Sequence, residues 1–231
     1  MAELPQGSAR PAALAAKFQD AHRRAKTQVF TFVSADAALT RKVIATCYAC
    51  GGHLIAPWDV YMGSDAPRYY GRPEDFADLY KFVRDSAAFL DGYEEAAFAV
   101  PGLKDARHPT PPIEVLGAAD VCAIVRAVPG KADAPVAVHL VDWAKAPSPF
   151  RLALRTCRFF SDGELAATLL QPGRAPTPFG ATPEADKTLL DIPALGPWAI
   201  VVSYHGTKPT LRPGPSAVRN PLHPAAQWRR G

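Results

Sequence analysis

Asparagine occurs once in this chain, at Asn220, while alanine and arginine are abundant, a skew that reflects coding bias rather than function. No run approaches the roughly 18–20 apolar residues that a helix needs to cross a bilayer. The N-terminus, MAELPQGSARPAALAAK, lacks a basic segment followed by an apolar core, so no secretory signal is legible. Four cysteines (Cys47, Cys50, Cys122, Cys157) are too few to form a disulfide framework for 231 residues. There is no GxGxxG, no GxxxxGK[ST] and no GxSxG, so no motif for cradling a dinucleotide or a phosphate, or for presenting a nucleophilic serine. The six histidines (His22, His53, His108, His139, His205, His223) show no metal-ligand spacing, and neither a metal nor a cofactor is expected.

The formal charge of +4 invites a nucleic-acid reading, and its distribution removes it. From Gly206 onward there are five cations (Lys208, Arg212, Arg219, Arg229, Arg230) and no carboxylate, which leaves residues 1–205 at −1. A nucleic-acid-binding domain carries its basic excess on a folded face. No nucleic-acid or membrane partner is therefore expected. Hydrophobic content of 48% and charged content of 21% are those of an ordinary globular chain with ample length for a core.

Two regimes follow one another along the chain. After residues 1–10, expected to be disordered, Pro11 opens a helix reaching a basic end at His22, Arg23, Arg24 and Lys26. Thr27 to Ser34 (TQVFTFVS) reads as a strand buried on both sides. Ser34 or Asp36 caps a second helix, with Leu39, Val43, Cys47 and Cys50 on one face, that stops at Gly51-Gly52. His53 to Ala56 is a second short strand, and Pro73 opens a third helix. This order predicts parallel strands with right-handed crossovers over residues 11–96. Residues 97–112 are a proline-rich connector. Beyond them the period becomes two: 120–126, 134–143, 150–155, 164–170, 187–192 and 198–204 are strand candidates, which predicts an antiparallel β-sandwich over 113–205. Residues 206–231 form a basic, proline-rich tail expected to be disordered.

The chemistry concentrates after the second strand. Trp58 offers a face for stacking a sugar ring, Asp59 can bind hydroxyls, and Tyr61, Arg68, Tyr69 and Tyr70 are positioned to line the same site; these six residues are the expected substrate contacts. Packing of Trp58 beneath the loop and turn-capping by Asp59 is the competing reading. Glycoside hydrolysis needs two carboxylates roughly 5–9.5 Å apart, and only Asp59 and Asp65 lie in this stretch, so no catalytic residue is assigned. Cys47-x-x-Cys50 has redox spacing but sits at a helix C-terminus, where the dipole opposes a thiolate. It reads as two buried apolar residues. His53 reads as structural, and His139 and Asp142 as solvent-facing.

RKVIATCYACGGHLIAPWDVY, followed by RYYGRPEDFADLYKFVRDSAAFLDGYE, resembles the closing part of the (β/α)8 barrel of bacterial glycoside hydrolases. VAVHLVDW, FRLALR and LLDIPALGPWAIVV resemble segments of the β-sandwich that follows it. The resemblance covers about residues 11–205. It implies an α/β plus all-β chain: a partial (β/α) barrel, consisting of the last strands and helices, followed by an antiparallel β-sandwich. It further implies the C-terminal portion of a longer enzyme that hydrolyses O-glycosidic bonds, with a polysaccharide or oligosaccharide as partner. TQVFTFVS would be the seventh barrel strand and HLIAPWDV the eighth. The catalytic carboxylates of such enzymes commonly lie on the fourth strand and on the sixth or seventh, so the resemblance supports substrate contacts here and no catalytic pair. The alternative is a non-catalytic carbohydrate-binding or assembly protein. A third class, a small α/β enzyme working through the cysteine pair, is the least supported.

Overall fold

The computed structural model describes residues 2–4, 10–24, 29–32, 34, 36–55, 72–132, 134–160 and 165–205. Its first part alternates strands and helices. Strand β1 (Ala2–Leu4) lies within the stretch expected to be disordered; it is followed by α1 (Pro11–Arg24), β2 (Val29–Phe32), α2 (Ala37–Ala49) and β3 (His53–Ile55). The three strands form one parallel sheet with β2 in the middle. Helix α1 buries Leu14, Ala15 and Phe18, and Phe18 meets Phe30 of β2 edge-on at 4.8 Å. Asp36 caps α2 by accepting from the Leu39 amide at 2.9 Å. At its other end Gly51 adopts φ +85°, and the Gly51 and Gly52 amides return to the Tyr48 and Cys47 carbonyls at 3.0 and 2.9 Å. That left-handed stop is cheap only for glycine. Helix α2 buries Val43, Ile44, Ala45, Thr46, Cys47 and Ala49, more than one stripe, as a helix enclosed on several sides must.

After α3 (Ala77–Asp85) the described residues hold strands and two short 3-10 turns. Ten strands follow: β4 (Glu94–Ala99), β5 (Ile113–Leu116), β6 (Val121–Ala127), β7 (Val136–Asp142), β8 (Phe150–Leu154), β9 (Leu165–Leu170), β10 (Thr177–Phe179), β11 (Thr182–Glu184), β12 (Lys187–Ile192) and β13 (Trp198–His205). They make a six-stranded antiparallel sheet in the order β10-β9-β13-β7-β6-β4 and a four-stranded one in the order β11-β12-β8-β5.

The six-stranded sheet is the centre of the molecule, because both of its faces are covered. Ala123, Val125, Val138, Leu140, Leu169 and Val201 pack against Ile113, Leu152, Leu154 and Leu190 of the four-stranded sheet. Their strand neighbours, Cys122, Ile124, Ala137, Val141, Leu170, Trp198 and Ile200, share a second core with Phe18, Ile44, Cys47 and Phe82 of the helices. Trp198 is fully buried there, stacked near Tyr48 and met edge-on by Phe82 at 4.9 Å. The free face of the four-stranded sheet carries charge, with Arg151 paired to its cross-strand neighbour Asp191 at 3.0 Å.

The expectation of a partial (β/α) barrel followed by an antiparallel β-sandwich is thereby overturned. Among the described residues strand predominates over helix, with three α-helices, and no barrel closes. The physical reason is where the helices place their apolar surface. They bury it against the six-stranded sheet, so the helical segment and the antiparallel strands share a core and stack in successive layers. The reading of His139 and Asp142 as solvent-facing also fails. His139 is fully buried on the helix-covered face and Asp142 is 2% exposed. Alternation identifies the two faces of a strand and is silent about what covers each.

His139 stacks on Trp198 at 5.9 Å, and neither ring nitrogen meets hydrogen-bond geometry with a partner. Burial holds its pKa well below the ordinary imidazole value, and the Arg126 charge adds to the shift, with the Phe89 backbone opposing it weakly. The unfolded chain therefore binds a proton below about pH 6.5 that the folded chain excludes. Stability should be level above that value and fall as the pH drops through it. Urea midpoints measured between about pH 5 and pH 8 should show this acid limb, and His139→Leu should flatten it; an unchanged slope in the variant would assign the limb to other groups.

Candidate functional site

Trp58, Asp59, Tyr61, Arg68, Tyr69 and Tyr70, the expected substrate contacts, all lie outside the described residues. What is described is how the chain is held on either side of them. On the near side Leu54 of β3 is buried, and its carbonyl accepts from the Tyr80 hydroxyl of α3 at 2.9 Å. On the far side the Arg72 amide donates to the Asp75 carboxylate at 2.8 Å across the turn Pro73–Asp75. Arg41 of α2 then grips this turn and α3 together. Its guanidinium forks onto both carboxylate oxygens of Asp78, one at 2.7 Å, and also donates to the Asp75 carbonyl. The Arg41 hydrogen bond, more than any other influence, holds the Asp78 carboxyl below its usual value despite partial burial. Two-point contact with a planar fork fixes angle as well as distance.

These bonds commit the carboxylates that flank the segment. Asp36, at the end of β2, caps α2; Asp75 caps the turn; Asp78 is held by Arg41. Among the described residues no group of three or more His, Cys, Asp or Glu side chains is arranged to hold a metal ion.

The cysteines are structural, as the position of Cys47-x-x-Cys50 implies. Cys47, Cys50 and Cys122 are buried in the core under the helices, and burial pushes each thiol up, Cys122 to about 12. Only Cys157 is exposed.

Several cavities border the strands. One, about 690 Å3, opens between β4 and β5 with mostly apolar walls, including Phe98, Val100, Leu103, Pro111 and Val121. Its polar groups serve the outer edge of β4. Asp105 accepts from the Phe98 amide at 3.3 Å, the His108 Nε2 donates to the Ala96 carbonyl at 2.9 Å, and Arg107 bridges Asp105 and Glu95 at 2.8 and 2.9 Å. This occupies backbone groups that would otherwise template another strand.

Another cavity, about 390 Å3, lies at the N-terminal end of β3, the end opposite to the one from which Trp58 follows. Tyr48, Gly51, Gly52, His53, Arg84 and Asp91 contribute to its wall, and Arg126 of β6 closes it from below. Arg126 is 3% exposed; its Nη1 donates to the Ala49 carbonyl at the limit of 3.5 Å and its Nη2 donates to the Tyr93 carbonyl, while Nε is buried with no partner. Burial lowers its pKa, against the nearby fields of Cys50, Glu95 and Glu94. Sequence reading missed this group. Its one signal is a lone arginine ending an apolar strand, VCAIVR, which also fits a strand running out into solvent.

No protein-family model matches the chain, and no curated protein matches it. The exposure of the thiols is directly measurable. Under native conditions a thiol-specific chromogenic reagent should titrate Cys157 alone, and in denaturant all four cysteines. A second fast-reacting thiol in the native protein would show that the Cys47–Cys50 pair is accessible, contrary to its burial.

Proposed function

We propose that this chain is a glycoside hydrolase-like protein that supplies carbohydrate contacts for the hydrolysis of O-glycosidic bonds and contributes no catalytic carboxylate pair of its own. The observation that supports this reading is the fixing of the chain on both sides of residues 56–71, by Tyr80 on Leu54 and by Arg41 on Asp75 and Asp78. Anchors of this kind limit the entropy lost when a binding segment engages a ligand. The residue types between the anchors are those of a sugar site: an indole, three phenols, a guanidinium and two carboxylates. Trp58 stacks on the sugar, and Asp59 accepts from its hydroxyls. The resemblance to bacterial glycoside hydrolases in the same stretch supports the substrate class. The engagement of Asp36, Asp75 and Asp78 in structural bonds supports a contacting rather than a hydrolytic role.

Calorimetry against a panel of soluble polysaccharides, combined with aryl-glycoside assays, tests this. A polysaccharide should bind without turnover, and Trp58→Ala should weaken that binding by roughly tenfold or more, a loss of about 1.4 kcal/mol. Turnover abolished by Asp59→Asn would make Asp59 catalytic and overturn the assignment of roles. Absence of binding to the whole panel would overturn the carbohydrate reading.

A further inference from the structure

A full positive charge lies almost out of reach of solvent beneath the cavity at the N-terminal end of β3, bonded to two backbone carbonyls. We propose that this cavity binds a small polyhydroxylated carboxylate, a sugar acid, with its carboxylate turned inward to Arg126 and its hydroxyls turned outward to the rim. The sugar-acid class rests on the carbohydrate reading above, whereas the requirement for an anion rests on Arg126.

Isolated buried charge is costly, and a buried guanidinium is ordinarily matched by a carboxylate. Neither hydrogen bond of Arg126 is to one: it donates to Ala49 and Tyr93 carbonyls, the first at 3.5 Å, and the Glu95 and Glu94 carboxylates act on it through their fields alone. Gly51 keeps the guanidinium open on the cavity side. A Cβ at that position would lie 2.6 Å from Arg126 Nη1 and 3.2 Å from Nη2, so any other residue there would crowd both nitrogens. The charges of the wall are sorted by depth. Arg126 is buried, His22 is half-buried, and Asp91, Glu94, Arg84 and His53 are exposed at the rim. That order orients a ligand with one anionic end and several hydroxyls: the anion goes to the floor, away from Asp91 and Glu94, and the rim carboxylates accept from hydroxyls while Arg84 and His53 offer donors. Tyr48 adds an aromatic wall, held edge-on against His53 at 5.8 Å.

The test is an amide-resolved NMR titration of the full chain with D-glucuronate, D-glucose and acetate at matched ionic strength. Glucuronate should shift the Gly51, Gly52 and Gly92 amides and bind roughly tenfold more tightly than either glucose or acetate. Arg126→Met removes the proposed anchor but also a buried charge. The exposed rim variants Arg84→Gln and Asp91→Asn keep the question answerable if it fails to fold, and each should weaken glucuronate by about threefold or more. Equal binding of glucose would overturn the anion requirement, and equal binding of acetate would overturn the sugar-acid class. Shifts confined to residues 57–70 would remove this cavity as a site and leave the carbohydrate reading standing. Shifts at the three glycines in a chain that binds no polysaccharide would support this site and sink the other.

Discussion

Covering an antiparallel sheet on both faces is the constraint from which the rest of this molecule follows. One face of the six-stranded sheet meets the four-stranded sheet and the other meets the helices. Strands β6, β7 and β13 therefore carry apolar residues at successive positions, in a sheet type that usually leaves one face to water. The helices have no comparable partner elsewhere: α2 touches β7 as extensively as it touches α1. Removing the central sheet would leave three helices and a three-stranded parallel sheet with too little apolar surface to hold together.

The two faces differ in kind. The one toward the four-stranded sheet is apolar almost throughout, while the one toward the helices also encloses Arg126, His139 and Trp198, with Arg126 Nε, both His139 nitrogens and Trp198 Nε1 lacking partners. Each unsatisfied buried group costs about 1–3 kcal/mol. Several of the unpartnered buried groups thus meet at one interface, where helices dock on strands, while Ser203 Oγ is unpartnered on the other face. Acid acts there through His139, and the proposed ligand acts there through Arg126. Cross-strand register places these groups side by side: Ile124 is opposite His139, and Arg126 lies two residues along the same strand.

Local signals in the sequence were legible where the cause is local. Asp36 as a cap and Gly51-Gly52 as a stop each act within a few residues of chain, and both are present; Pro73, expected to open the third helix, opens a 3-10 turn, and α3 begins at Ala77. The exposed Arg151 within FRLAL is equally local, since its neighbours Phe150 and Leu152 face the core. The errors concern what meets what. VAVHLVD alternates correctly, yet nothing in it states that a helix will cover the face carrying His139. The same ambiguity produced the barrel expectation: parallel βα units bury their helices on a sheet, and the pattern cannot name which sheet. Of the candidate sites, the aromatic segment was legible from residue types alone. The cavity above Arg126 was not, because its members come from α2, β3, the end of α3, the turn before β4 and β6.

The position of Gly51 joins these strands of reasoning. Read locally, it ends α2, and its φ of +85° accounts for glycine without any further cause. Read in three dimensions, the same missing side chain is what lets Arg126 rise beneath the helix end and donate to the Ala49 carbonyl of α2. A cation at a helix C-terminus is favourable, and this one comes from the central sheet, so it also fastens the helical layer to that sheet. Arg126 is then neither a purely structural residue nor one placed for a ligand alone. Its carbonyl bonds hold the layers together, and its charge, offset by the Glu94 and Glu95 fields rather than by a hydrogen-bonded carboxylate, faces the cavity. An anion bound there would strengthen the contact on which the helices depend, so occupancy of the cavity and docking of the helical layer are one coupled equilibrium.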